Sequence, residues 1–79
     1  MENIINTPVI KAKNYELRIV FEGLVPKLLV ESMIIFGTPK SMFIDHSGEK
    51  PLLIAIYQTE LMEEMVTNYI VDHLPVTEL

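Results

Sequence analysis

The chain has 79 residues, no cysteine and two histidines, and 49% of its residues are apolar. A chain of this length forms one domain, which we place at residues 1–79 with loose ends at 1–7 and 76–79. The absence of cysteine excludes disulfide bonds and thiolate metal sites, and two histidines are too few to indicate a zinc site. Because so small a domain hides only about 60% of its unfolded surface, the apolar excess predicts self-association, most simply as a homodimer.

The net charge of −5 is unevenly distributed along the chain. Residues 1–40 carry five basic and four acidic groups, whereas residues 41–79 carry one basic and seven acidic groups. An acidic chain repels phosphate backbones, which disfavours direct nucleic-acid binding. An acidic half instead favours association with a basic protein surface.

The N-terminal sequence predicts no secretory signal, because residues 1–6 contain no basic segment followed by an apolar stretch. The apolar run at 28–36 is interrupted by Glu31 and Ser32, and it is far shorter than the roughly 20 residues that span a bilayer. The lack of cysteine is consistent with a reducing compartment. We therefore expect a soluble, cytoplasmic protein that does not enter a membrane.

The first regular segment, residues 9–22, has the period of two that is typical of a half-buried strand. Leu17, Ile19 and Phe21 lie on one face, and the opposite face is polar except for Val20, which indicates that the strand is partly covered on both sides. Lys13 and Asn14 allow two interpretations, since the chain either turns there to form a hairpin or continues as one long strand.

Residues 25–36 are predicted to form a helix, since Pro26 suits a first helical turn and Gly37 suits the position after the last one. This helix would be apolar almost all round, which indicates burial on two sides or an interface. We therefore predict that Ile34, Ile35 and Phe36 form the self-association surface. A buried strand remains the alternative, because the segment is rich in β-branched residues.

Residues 42–45 and 51–57 are predicted to be strands joined by a loop at 46–50, where Ser47 and Gly48 favour a turn. The second of these strands is apolar on both faces, which is typical of a central strand. The element order is then β-α-β-β-α, or ββαββα if the first strand splits. If the tail also pairs with the sheet, the order becomes the ferredoxin-like βαββαβ.

The clearest element is an amphipathic helix from Thr59 to Leu74, with Thr59 as its N-cap and Pro75 after its end. Its outer face should be acidic, and its broad apolar stripe should pack on the sheet; the stripe consists of Leu61, Met62, Met65, Val66, Tyr69 and Ile70. We predict that Glu60, Glu63, Glu64 and Asp72 contact a basic partner protein. The expected fold is α+β, a small, mainly antiparallel sheet with two helices packed on it.

No catalytic or cofactor motif is present. The segment 45–49 places a carboxylate, an imidazole and a hydroxyl side by side, but neighbours in a tight turn point in different directions. His73 is predicted to be a helix-end residue favoured by the helix dipole. Met33, Met42, Met62 and Met65 suit either a core or an adaptable binding surface.

The function predicted from the sequence is a non-enzymatic protein-binding or regulatory module, homodimeric and without a metal or cofactor. One form of this prediction is an inhibitor of a nucleic-acid-binding protein that acts through its acidic helix. Two alternatives stay open. One is a nucleic-acid-associated regulator that uses the basic residues Lys11, Lys13, Arg18 and Lys27. The other is a small ligand-binding or enzyme domain with an inter-subunit site near His46 or His73.

Overall fold

The computed structural model describes residues 8–22 and 27–78, which form five strands and two helices. In chain order these are β1 (Val9–Lys13), β2 (Glu16–Val20), α1 (Lys27–Met33), β3 (Ser41–Asp45), β4 (Leu52–Ile56), α2 (Glu60–His73) and β5 (Thr77–Glu78). The α+β class is confirmed. The predictions for residues 1–7, for Gly23 to Pro26 and for Leu79 lie outside the described residues.

The first predicted strand is split into a hairpin, so the first of the two interpretations above is correct. β1 and β2 pair antiparallel from Val9↔Val20 to Lys13↔Glu16, with Asn14 and Tyr15 in the turn. Asn14 has a φ of 58°, a left-handed conformation that asparagine tolerates better than most residues. The tail pairs as well, since β5 runs parallel to β1. The order is therefore ββαββαβ, in which the split first strand and the paired tail occur together.

The described strands form one mixed sheet in the order β3-β4-β2-β1-β5. β4 pairs antiparallel with β2 on one side and with β3 on the other, which confirms its predicted central position. Side chains alternate between the two faces of a strand, so the registers show which residues share a face. Leu17 and Ile19 of β2 lie level with Ala55 and Leu53 of β4 on one face.

Helix α1 is shorter than predicted and ends at Met33 instead of Phe36. Ile34 and Ile35 donate their backbone N–H groups to the carbonyls three residues before them, at 3.4 Å each, so the chain leaves the α-helix through tighter turns. Gly37 then adopts a φ of 125°, which only glycine adopts readily. An added Cβ would lie 2.7 Å from Met62 Cε, so a larger residue here would also require that side chain to move.

Helix α2 follows the predicted bounds closely, with Thr59 as N-cap and Leu74 as C-cap. The Thr59 hydroxyl accepts a hydrogen bond from the backbone N–H of Met62 at 3.1 Å. Glu60 lies in the first turn and His73 in the last, so an acidic residue is at the positive end of the helix dipole and a basic residue type is at the negative end.

The core lies between the two helices and one face of the sheet. Its strand residues are Ile10, Leu17, Ile19, Leu53 and Ala55, and its helix residues are Leu29, Met33, Val66 and Ile70. Tyr57 is also buried there, and its hydroxyl donates to the backbone carbonyl of Met33 at 2.8 Å. This bond connects the end of α1 to the residue that follows β4.

Candidate protein-binding surface

The outer face of α2 combines apolar and acidic side chains. Leu61 is 67% exposed and Met65 is 41% exposed, and the i, i+4 spacing places them on one ridge with Tyr69. Glu60, Glu64 and Asp72 are exposed around this ridge. The helix contains no lysine or arginine, so its own side chains leave this negative charge uncompensated.

Glu63 does not belong to the acidic outer face, contrary to the sequence prediction. The residue is only 5% exposed, and its Oε2 accepts a hydrogen bond from Thr67 Oγ1 at 2.7 Å. Burial raises the pKa of the Glu63 carboxyl, partly offset by the Thr67 hydrogen bond, and the nearby charges of Glu64 and Glu60 raise it further.

The reason for this difference is the rotation of α2 about its axis. The inward face carries Glu63, Val66, Thr67 and Ile70. The apolar pattern of the sequence instead favoured a rotation that buries Leu61 and Met65, because both are large and hydrophobic. Packing against the sheet exposes these two side chains and buries a glutamate that Thr67 can satisfy, as buried polar groups require.

The turn after α1 lies beside the outer ridge of α2. Ile34, Ile35 and Phe36 are all between 42% and 48% exposed. The rings of Phe36 and Tyr69 meet edge to face with centroids 5.9 Å apart. Tyr69 in turn stacks on His73 at 4.2 Å. Phe36 therefore connects the turn that contains the predicted self-association residues to the outer face of α2.

We call this combined area the helix surface, defined by Leu61, Met65, Tyr69 and the turn 34–36, with Glu60, Glu64 and Asp72 around them. Its centre is apolar and its rim is acidic. Protein interfaces typically have an apolar centre, often aromatic or methionine-rich, inside a polar rim. Contiguous exposed apolar area on a small domain marks an interaction site more often than chance exposure does.

A second exposed apolar area lies on strand β3, which was predicted from the sequence as a strand but not as a binding surface. Met42, Phe43 and Ile44 are each more than a third exposed. A groove of about 450 Å³ lies beside the strand, lined by Val30, Met42, Phe43, Ile44 and Leu53. The sequence does contain a signal for this surface. Residues 42–44 are all apolar, whereas a strand that is covered on one face only normally alternates apolar and polar residues.

The basic residues of the N-terminal hairpin meet on the face of the sheet that carries no described helix. Lys11, Lys13 and Arg18 line a shallow concavity of about 250 Å³ together with Glu16. Arg18 Nε lies 2.6 Å from Glu16 Oε1, which compensates its charge. Lys27 does not join this group, since it lies on α1 with its ammonium 4.0 Å from Glu31.

The histidines and the polar loop do not come together into a catalytic arrangement. Asp45 Oδ1 accepts a hydrogen bond from the Ser47 backbone N–H at 2.9 Å, and the bonds from Ser47 lower the pKa of Asp45. His73 Nδ1 lies 2.9 Å from the Tyr69 carbonyl oxygen and must be the donor, because a carbonyl only accepts. Within residues 8–22 and 27–78, no group of three His, Asp or Glu side chains could hold a metal ion.

In the part of the chain that the structure describes, neither helix has the length and hydrophobicity to cross a membrane. Comparison with protein-family models, with curated proteins and with solved structures finds no match to this chain.

Proposed function

We propose that this chain is a non-enzymatic protein-binding module that docks a basic partner protein on its helix surface. The observation that carries the proposal is the exposure of Leu61 and Met65 inside a rim formed by Glu60, Glu64 and Asp72. The apolar centre supplies contact area that leaves water on binding. The acidic rim supplies charge complementarity, which speeds encounter and selects the partner.

The chemistry of this surface specifies the partner as a protein with a basic rim around an apolar depression. A protein that binds nucleic acid through such a groove is one source of that chemistry. In that case the chain would compete with the nucleic acid and act as an inhibitor. A cytoplasmic location and self-association complete the proposal, and both stay predictions from composition.

The test uses two charge-reversal variants of matched size. In Glu60→Lys/Glu64→Lys the rim of the helix surface is reversed, and in Lys11→Glu/Lys13→Glu the other face of the sheet is reversed. All four side chains are exposed, so both variants should keep the circular dichroism spectrum of the wild type. Each immobilised protein is exposed to extract of the source cell, and the retained proteins are quantified by mass spectrometry.

We expect the wild type and Lys11→Glu/Lys13→Glu to retain the same set of basic proteins. We expect Glu60→Lys/Glu64→Lys to lose that set. Leu61→Ser should weaken the same set, because it removes the most exposed apolar group of the surface. The proposal fails if the retained proteins are insensitive to Glu60→Lys/Glu64→Lys and Leu61→Ser.

A second candidate function is nucleic-acid binding by the basic face of the hairpin, favoured by the convergence of Lys11, Lys13 and Arg18. Few phosphate contacts are available there, and Glu16 already pairs with Arg18. Binding of a labelled single-stranded oligonucleotide at low salt, lost in Lys11→Glu/Lys13→Glu, would establish this function. The absence of such binding removes it.

A further inference from the structure

Strand β3 is an edge strand with an open backbone and exposed apolar side chains. It pairs with β4 on one side only, so the N–H and C=O groups on its outer side have no strand partner among the described residues. Natural proteins usually protect such edges with prolines, inward-pointing charges, bulges or very short strands. The strand Ser41–Asp45 has none of these features over five residues, and its middle three residues are apolar.

The helix-side face of β3 is also incompletely covered. Met42 and Ile44 lie level with Ala55 and Leu53 of β4, on the side of the sheet where the helices pack. Yet Met42 and Ile44 are 38% and 39% exposed, whereas Leu53 is 3% exposed. The groove of about 450 Å³ between Val30 of α1 and the strand accounts for this difference.

We propose that β3 is the contact between two copies of this chain, which pair antiparallel across a two-fold axis at Phe43 and join their sheets into one. The inference goes beyond the proposed function and rests on it only for the expectation that the chain self-associates. Pairing of identical edge strands uses the same patch on both copies, as a closed dimer requires. The backbone hydrogen bonds of β3 would then be satisfied on both sides.

The residue pattern of β3 is complementary to itself in this register. Phe43 lies opposite the partner's Phe43, Met42 opposite the partner's Ile44, and Ser41 opposite the partner's Asp45. Residues directly opposite in an antiparallel pair have Cβ atoms about 5 Å apart, so apolar side chains meet apolar side chains. On the helix side, the partner's Met42 would lie next to Ile44 and help to close the groove.

The polar residues at the two ends of the strand favour the same register. Ser41 begins β3 and Asp45 ends it, so the Ser41 hydroxyl faces the carboxylate of the partner's Asp45 on one face of the sheet, at the spacing of a cross-strand pair. Moving the axis to Met42 places Ser41 against the partner's Phe43. Moving the axis to Ile44 places Phe43 against the partner's Asp45. Of these three positions, only the axis at Phe43 keeps the apolar residues opposite one another and Ser41 opposite the partner's Asp45.

The first test compares Phe43→Lys with Leu61→Lys by sedimentation equilibrium. Both positions are exposed, at 48% and 67%, so both variants should fold. We expect a dimer for the wild type and for Leu61→Lys. In Phe43→Lys the two ammonium groups face each other across the axis, which should weaken dimerisation by at least about 100-fold.

The second test probes the register with Ser41→Lys and Ser41→Asp. Ser41 is exposed and lies opposite the partner's Asp45 in this register. In Ser41→Lys both cross-strand pairs join opposite charges, so the dimer should tighten by about tenfold, and in Ser41→Asp both pairs join two acids, so the dimer should weaken by about tenfold. Sedimentation equilibrium of the two variants and the wild type measures both changes.

The inference is overturned by a wild-type protein that stays monomeric at high micromolar concentration, or by a dimer that Phe43→Lys leaves intact. Loss of the dimer in Ile35→Lys but not in Phe43→Lys would instead assign self-association to the turn 34–36. Equal dimer affinities for Ser41→Lys and Ser41→Asp would overturn the register. Capture of a basic partner by monomeric Phe43→Lys, sensitive to Glu60→Lys/Glu64→Lys, would leave the proposed function standing, so the two failures are distinguishable.

Discussion

The two edges of the described sheet differ in length, composition and support. β5 is a two-residue edge, Thr77–Glu78, with both side chains exposed and polar. Behind it, Leu74 and Val76 pack against the core. β3 is a five-residue edge with three exposed apolar side chains, and the groove beside α1 leaves its helix-side face open.

This difference indicates which edge of the sheet leaves apolar surface for a second molecule. A short polar edge gives an incoming strand little to pair with, whereas a long apolar edge is a template for pairing. The helices follow the same division, since α2 packs on β1 and β2 and a groove separates Val30 of α1 from β3. As a sheet edge, the β3 side therefore gains more from a partner strand than the β5 side.

The largest expected effect comes from breaking the supported side of the sheet. Ile70 of α2 is fully buried, and Ile70→Ala should lower the free energy of unfolding by about 2–5 kcal/mol, because it leaves a cavity. Met42→Ala on β3 should cost about 0.5 kcal/mol or less. Both are measured by urea denaturation in the Phe43→Lys background, so that pairing of copies does not contribute. Equal losses at the two positions would contradict the comparison.

A smaller effect is expected at the hydrogen bond that joins the end of α1 to Tyr57, the residue after β4. Tyr57→Phe removes the donor to the Met33 carbonyl and leaves this acceptor without that partner, at a cost of about 1–3 kcal/mol. Tyr15→Phe is the matched control, since Tyr15 is half exposed, and it should change stability by about 0.5 kcal/mol or less. Thermal unfolding measures the stability of both variants. Equal stability of Tyr57→Phe and Tyr15→Phe would show that the hydrogen bond from Tyr57 to Met33 does not stabilise the fold.

The smallest effect is a pH dependence of opposite sign on the two sides. The pKa of Glu63, on α2, is raised above 4.5 by burial. As the pH rises through 4.5 the unfolded chain loses its proton first, so the free energy of unfolding falls until folded Glu63 also ionises.

The pKa of Asp45, at the end of β3, is lowered below 3.8 by the Ser47 hydrogen bonds. Here the unfolded chain gains its proton first as the pH falls through 3.8, so stability falls towards acid.

Urea denaturation between pH 3 and pH 7 separates these two contributions. Glu63→Gln keeps an amide oxygen to accept from Thr67 and should remove the decrease above pH 4.5, so that the variant is the more stable protein at pH 7. Asp45→Asn should flatten the curve below pH 3.8 only. If Glu63→Gln instead lowers stability at pH 7, the carboxylate of Glu63 is favourably paired in the folded protein.

The sequence was sufficient for those features that depend on local chemistry. The N-cap at Thr59 and the end of α2 before Pro75 follow from backbone groups that nearby residues satisfy or cannot supply. The α+β class and the central position of β4 follow from periodicity and from apolarity on both faces. The exposure of Glu60, Glu64 and Asp72 was also predictable, because lone charges rarely leave water.

The features that only the tertiary structure decided depend on contacts between distant residues. The rotation of α2 that buries Glu63 and exposes Leu61 is set by how the helix packs on β1 and β2, which no local pattern contains. The early end of α1 at Met33 coincides with the hydrogen bond from Tyr57, 24 residues away along the chain. The open apolar edge at β3 exists because strand order and helix placement leave that side uncovered. The three apolar residues of β3 do not show by themselves that this strand lies at an edge, since its neighbours are supplied by the rest of the fold.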